Sequence, residues 1–335
     1  MKNSNYNINM EKNIIRVSAL AVIVATALSL SSCGGEKKQV AEGELSGEIS
    51  LSGAFALYPL AVQWANDFQA LHPSVTIDVS AGGAGKGITD ALAQVVDFGM
   101  VSRELGEAEI ANGAVGFAVA KDAVVPTINT SNPVYKDLQK HGVTRQQLID
   151  IFLTQKVTKW GQVVETGNKT DISVYVRSDA CGAAETWALY LGKKQEDLQG
   201  TAVFGDPGLA DAVQKDVNAI GLNNIGFAYD IKTGKPHPGL AVAPIDVNEN
   251  GQIDPEEDFY ATKQGVVDAI KDGRYPSPPA RDLYFVSKGI PTNPVVVEFL
   301  KYILTEGQNA NEAQGYIAIP QEKLDASLAK LGVKE

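Results

Sequence analysis

The stretch Ser80-Ala-Gly-Gly-Ala-Gly-Lys-Gly-Ile-Thr-Asp-Ala-Leu-Ala-Gln-Val-Val-Asp-Phe-Gly-Met-Val-Ser-Arg-Glu-Leu105 decides how this chain folds. A β-rich run, Val75 to Val79, leads into its glycines. Ile88, Leu92 and Val95 then recur at helical spacing, and a short apolar segment ends at Ser102-Arg103. A strand, a glycine turn and a helix N-terminus in that order make an anion cradle. The first-turn N–H groups point outward, and the aligned peptide dipoles add partial positive charge. Glycine lets the backbone come close to a ligand. Taken alone, the same pattern also describes a simple strand-to-helix turn.

The arrangement recurs. Glu48 to Ser52 alternates as a strand, followed by the small-residue loop Gly53 to Pro59 and a helix with Leu60, Trp64, Phe68 and Leu71 on one face. His72-Pro73 stops that helix. Asp171 to Arg177 alternates as a strand and ends in Ser178-Asp-Ala-Cys-Gly-Ala-Ala184, before a helix carrying Trp187, Tyr190 and Leu191. Gly116 to Ala120 and Ala123 to Asn129 read as separate strands. Residues 144–153 read as a helix capped by Thr144, with Leu148, Ile149 and Phe152 inside. Residues 217–229 read as two short strands or a strand and a turn, Arg281 to Ser287 as a strand, and Val295 to Leu304 as a helix. Strands alternating with helices imply an α/β fold with mostly parallel sheets, whose ligands sit at strand carboxyl ends. Three convergent helix N-termini, one beside Arg177, favour an oxyanion.

With 335 residues, 44% of them hydrophobic, the chain has room for two domains or one large one. A net charge of −11 without a basic run argues against a nucleic-acid partner. Lys2, Lys12 and Arg16 precede an apolar run, Val17 to Leu30, that is too short for a comfortable membrane span and fits a signal-peptide core. Leu30-Ser-Ser-Cys33 resembles the lipobox of bacterial lipoproteins. That resemblance implies that residues 1–32 are a signal peptide and that Cys33 is lipidated. Residues 33–46 read as a flexible tether. The expected location is extracytoplasmic, in the periplasm or on the cell surface, held to a bacterial membrane through the lipid only. With Cys33 modified, Cys181 has no disulfide partner.

Asp246-Val-Asn-Glu-Asn-Gly-Gln-Ile-Asp-Pro-Glu-Glu257 fits a calcium loop. Oxygen-bearing side chains fall at its first, third, fifth and ninth positions: Asp246, Asn248, Asn250 and Asp254. Gly251 permits the sharp turn, Gln252 offers its carbonyl, and Glu257 can bind through both oxygens. The run before it, Gly239 to Pro244, reads as a strand, and Phe259 to Ile270 as an exiting helix. This predicts one EF-hand-like loop inserted in the fold and stapled by structural calcium; an acidic surface loop is the plainer alternative.

Taken together, several motifs resemble the phosphate-binding subunit of the high-affinity phosphate ABC transporter, a periplasmic-type solute-binding protein. They are Gly53…Tyr58-Pro-Leu60…Trp64, Gly83-Ala-Gly-Lys-Gly-Ile88, Asp97-Phe-Gly-Met-Val-Ser-Arg-Glu-Leu105, Ile151-Phe152…Trp160, Arg177-Ser-Asp-Ala-Cys-Gly182, Ile225-Gly-Phe-Ala-Tyr229 and Gly315-Tyr-Ile-Ala-Ile-Pro320. The resemblance covers about residues 48–320. It implies a type II two-lobed fold with two hinge strands, near Ala120–Ile128 and Ala280–Val286. Lobe one would comprise 45–122 plus 284–335, and lobe two 123–283 with the calcium loop inserted.

It also implies a monomer that binds phosphate or a similar oxyanion in the cleft and delivers it to ABC permease subunits. Matching positions for the ligand are Ala54, Phe55 and Ala56; Gly83, Ala84 and Gly85; Ser102; Arg177; and Cys181, Gly182 and Ala183, with Asp179 orienting Arg177. Hydroxyls usual in the family are missing from all three loops, and Ser102 stands where some members carry an accepting Asp. The carboxylate that would accept phosphate's proton and repel sulfate is therefore not assigned. Arg103 reads as structural, and Lys86 as solvated or as added positive charge. Two other readings remain open: a calcium-binding surface lipoprotein with a structural or adhesive role, and an enzyme using Cys181 as nucleophile at a helix N-terminus.

Overall fold

The computed structural model describes residues 44–332. The segments read as a signal peptide, 1–32, and most of that read as a tether, 33–46, with Cys33, lie outside the described residues. Among those described, no helix is long and apolar enough to cross a membrane.

Among the described residues there are eleven strands: β1 (Gly47–Gly53), β2 (Val75–Ala81), β3 (Phe98–Val101), β4 (Ala114–Asn129), β5 (Val143–Thr144), β6 (Ser173–Arg177), β7 (Thr201–Val203), β8 (Ala219–Asn224), β9 (Leu240–Val242), β10 (Ile245–Asp246) and β11 (Ala280–Lys288). Nine form one sheet in the order β2-β1-β3-β11-β4-β8-β6-β7, with β9 also paired to β4; β5 and β10 form a separate pair. The trio β2-β1-β3 is parallel, as is β8-β6-β7. Between the trios run β4 and β11, antiparallel to each other and to their outer neighbours. The sheet is thus mixed rather than mostly parallel, because the two long central strands run against the strands they join.

Two hydrophobic cores flank this central pair. One gathers Ile49 to Ala120 with Leu283 to Leu324; the other gathers Ala123 to Ala280 with Ile317. The molecule is therefore two-lobed, and β4 and β11 pass from one core to the other. Where 116–120 and 123–129 read as separate strands, the structure has one strand of 16 residues. The polar pair Lys121-Asp122 does not interrupt it. Asp122 sits opposite Arg281 in the ladder, and the Lys121 N–H donates to Ile317 O at 2.9 Å.

Local signals were mostly followed. Thr144 caps the helix Arg145–Phe152 by accepting from the Gln147 N–H. In the helix Tyr58–Leu71, Leu60, Trp64 and Phe68 are buried, but Leu71 at the C-terminal end is 59% exposed. The helix after the glycine loop ends at Leu92, so Val95 lies beyond it and is 69% exposed. Residues 217–229 contain β8 and a helical turn, Ile225–Ala228. The helix after the acidic loop starts at Lys263 rather than Phe259, because Thr262 supplies the cap by accepting from the Gly265 N–H.

Candidate functional site

Every loop singled out for anion binding follows the carboxyl end of a parallel strand. Ala54, Phe55 and Ala56 follow β1; Gly83, Ala84 and Gly85 follow β2; Ser102 follows β3; Arg177 ends β6, with Asp179, Cys181, Gly182 and Ala183 just beyond. The two parallel trios present these ends to each other across the central strands, the arrangement that places ligands in α/β sheets.

The fold brings these residues together. The Gly85 N–H, in the first turn of the helix Ala84–Leu92, donates to Ala180 O of the other lobe at 3.0 Å. Gly83 has φ +92°, and a Cβ there would lie 2.9 Å from Asp179 Oδ2, so both its conformation and its surroundings demand glycine. Gly182 packs directly on Ser102, whose O and Oγ a Cβ would strike. The Phe55 ring covers the Arg177 guanidinium at 5.7 Å and meets Phe204 edge-on at 5.9 Å. The cradle donors are engaged within the protein: the Gly82 and Gly83 N–H groups both donate to Gly53 O, at 2.8 and 2.9 Å.

Arg177 is the electrostatic centre. Its Nε and Nη2 donate to Asp179 Oδ1 and Oδ2 at 2.9 and 2.5 Å, and Nη1 donates to Asp206 Oδ2 at 2.6 Å. Burial works against the guanidinium charge, but Asp206, supported by Asp179, outweighs it and holds the pKa above its ordinary value. Asp206 was not singled out in the sequence. It lies in the first turn of the helix Gly205–Lys215, where a carboxylate suits the dipole, and is 2% exposed. Its other oxygen accepts from Asn224 Nδ2 at 2.6 Å. The Gly205-Asp206-Pro-Gly run, a strand-end turn into a helix, was the available signal.

Beside this cluster lies a second buried cation. Arg281 of β11 donates from Nε to Ser102 O at 3.2 Å and from Nη2 to Asn224 Oδ1. Its Nη1 is 3.7 Å from Asp122 Oδ2, too long for a hydrogen bond. Burial pushes the Asp122 carboxyl up to about 6, with Arg281 pulling the other way. The Cys181 thiol is buried and pushed up to about 12 by that burial, with Arg177 opposing. It is a neutral thiol at neutral pH, not an activated nucleophile. Arg103 pairs with Glu109 through two hydrogen bonds at 2.9 and 2.7 Å, a structural role, and half-exposed Lys86 pairs with Asp90 one turn on.

The calcium-type loop is a separate feature. Asp246 is fully buried; its Oδ1 accepts from the Asn250 N–H at 3.2 Å and its Oδ2 from the Gly251 N–H at 2.8 Å. Glu257 Oε1 accepts from the Val247 and Asn248 N–H groups, and Oε2 from that of Asp254. Asn248 and Asn250 both turn Nδ2 toward Asp254 Oδ2. Gln252 lies on the exposed side. Among the described residues no three His, Cys, Asp or Glu side chains converge into a metal cluster.

A two-lobed α/β molecule with anion-competent loops facing a central crossing defines a solute-binding protein. A family model described as the PBP superfamily domain matches residues 38–306, and the chain belongs to that family. It is 25% identical over 342 residues to the phosphate-binding protein PstS of Pseudomonas aeruginosa, covering 94% of this chain and 96% of that one. It is 32% identical to PstS of Xylella fastidiosa over 213 residues, 57% of each chain, so that match spans only a little over half the length of the relative. Among solved structures, an ABC-type phosphate transport receptor from Vibrio cholerae shares the fold with a TM-score of 0.58 and 22% identity, over 81% of this chain and all of that one. A phosphate ABC transporter substrate-binding protein from Clostridium perfringens, with bound phosphate, aligns with a TM-score of 0.67 and 24% identity, over 82% of this chain and all of that one.

Proposed function

We propose that the chain captures phosphate between its two lobes outside the cytoplasmic membrane, held there by lipid on Cys33, and passes it to an ABC permease. The observation that carries this reading is Arg177. It is buried at a strand carboxyl end, fixed side-on by Asp179, and covered by the Phe55 ring, while Gly83 packs against Asp179. Three hydrogen bonds use only part of a guanidinium's five N–H donors, and the remainder suit a tetrahedral oxyanion. Separation of the lobes frees the Gly85 N–H from Ala180 O and admits the ion. The sequence relatives are named as binding proteins, and the function is binding without covalent chemistry.

Selection of phosphate falls to Asp206 in this reading. Ser102 cannot accept as strongly as a carboxylate, whereas Asp206 Oδ2 has only Arg177 as donor. An ion carrying a proton can donate to it; sulfate cannot, and meets charge repulsion. Calorimetric titration with phosphate, and with sulfate as competitor, tests both parts. Arg177→Ala should abolish binding, and Asp206→Asn should narrow the preference for phosphate over sulfate. Absence of phosphate binding to the wild-type protein up to millimolar concentrations defeats the reading.

The loop 246–257 completes it as a structural calcium site. Its donors are all oxygens, as a hard cation requires, and its first and last carboxylates, Asp246 and Glu257, are buried within the fold. Rotation of the Asn248 and Asn250 amides would exchange nitrogen for oxygen on their inner side. Asp246, Asn248, Asn250, the Gln252 carbonyl, Asp254 and Glu257 would hold the ion. Calcium should raise the melting temperature of the wild-type protein and leave that of Glu257→Gln unchanged; equal shifts, or none, would remove the site.

A further inference from the structure

Arg281 touches both lobes at once. It sits on β11, one of the two strands passing between the cores, and is 8% exposed. Its Nε reaches the Ser102 carbonyl after β3 of the first lobe, and its Nη2 reaches the Asn224 side chain at the end of β8 in the second. Asn224 is pinned from two sides. Its Oδ1 accepts from Arg281 while its Nδ2 donates to Asp206 Oδ1 at 2.6 Å, so only one orientation of the amide satisfies both neighbours. Asp206 in turn holds Arg177 Nη1. A continuous set of hydrogen bonds therefore runs from Ser102 through Arg281, Asn224 and Asp206 to Arg177. Ser102 also receives Gly182 of the opposite lobe in direct contact.

We propose that Arg281 is a positioning residue that clamps the two lobes together and, through Asn224 and Asp206, sets the orientation of the Arg177 guanidinium. The task requires arginine. Its planar fork presents divergent donors that span a carbonyl on one lobe and an amide on the other, and a lysine ammonium cannot do both. Asp122, its partner across the ladder, supplies compensating charge at 3.7 Å and leaves the fork free for the two lobes. The effect on anion affinity rests on the function proposed above; the clamp itself does not.

The test uses Arg281→Lys, which keeps the buried charge beside Asp122, together with Asn224→Ala and the double variant. Phosphate affinity is measured by calorimetry, lobe separation by small-angle X-ray scattering, and folding by thermal melts. Each single change should weaken phosphate binding by about tenfold or more. The double variant should fall well short of the product of the two, since both break one relay. Arg281→Lys should also scatter with a larger radius of gyration than the wild-type protein. Affinity within about twofold of wild type, or independent effects that multiply, overturns the proposal. If the wild-type protein binds no phosphate, the functional reading fails by itself, and scattering decides the clamp: an unchanged radius of gyration in Arg281→Lys refutes it. Should Arg281→Lys not fold, Asn224→Ala carries the same readouts, and wild-type values in it refute the relay.

Discussion

Replacing Asp122 by asparagine should remove a specific part of the pH dependence of stability. Asp122 is 1% exposed, its Oδ1 has no hydrogen-bond partner, and its Oδ2 stands 3.7 Å from Arg281 Nη1. Burial raises its carboxyl from an ordinary 3.8 to about 6; Arg281, then the Ala123 backbone N–H, then Lys263 oppose the rise, and Asp206 adds to it. The folded protein therefore holds this proton more tightly than the unfolded chain. The resulting stabilisation is fully present below about pH 4 and is lost as pH rises through about 6. A displacement of about two pH units corresponds to roughly 3 kcal/mol. Other carboxylates act in the opposite sense: Asp90, Glu109 and Asp150 are all lowered by hydrogen-bond partners. The quantity to follow is thus the difference between wild type and Asp122→Asn, taken from urea unfolding at several values between about pH 4 and 7. The variant should gain on the wild-type protein by roughly 3 kcal/mol across that interval. Parallel curves would refute the reasoning. A difference of opposite sign would mean that the Arg281 charge outweighs the burial of Asp122.

Gly182→Ala places a methyl group against the Ser102 backbone, which has no flexible end to move aside. The protein should stay folded with its lobes held apart, seen as a larger radius of gyration and as phosphate binding weaker by at least about tenfold. Cys181 should resist Ellman's reagent at about pH 8 in the native state and react once urea unfolds the chain, because burial keeps the thiol protonated and inaccessible. Phe55→Ala removes the ring over Arg177 and its edge contact with Phe204. Calorimetry should record a loss of phosphate affinity of roughly threefold to thirtyfold.

The loops proposed for anion binding could be picked out from local signals, a glycine or small-residue turn between a strand and a helix that recurs three times, once beside an arginine. The loops after β1, β2 and β6 do stand together. Asp179 was legible through the family resemblance, which implies that it orients Arg177, and the two side chains do meet. Asp206 was not legible, since 29 residues and a whole helix separate it from Arg177. Arg281 and Asn224 are 57 residues apart and meet only because β11 and β8 both pair with β4. The single strand Ala114–Asn129 was hidden for a related reason. Lys121-Asp122 looks like a break until Arg281 and Ile317 supply its partners from distant parts of the chain.

Sequence by itself determined the kinds of elements and their loop chemistry. Apolar spacing, glycine and cap residues act over one or two turns, where neighbours along the chain are neighbours in space. The same holds for the oxygen spacing of the loop 246–257. Tertiary structure alone decided which charges share a buried site. Two arginines and three aspartates are drawn into one low-exposure network at the lobe crossing: Arg177 with Asp179 and Asp206, and Arg281 beside Asp122. Buried charges need partners, and only the packing of distant segments brings Asp206 within hydrogen-bond reach of Arg177 and Asp122 to 3.7 Å from Arg281. The glycine cradle at Ser80–Leu105 thus depends for its electrostatics on residues that its own sequence does not contain.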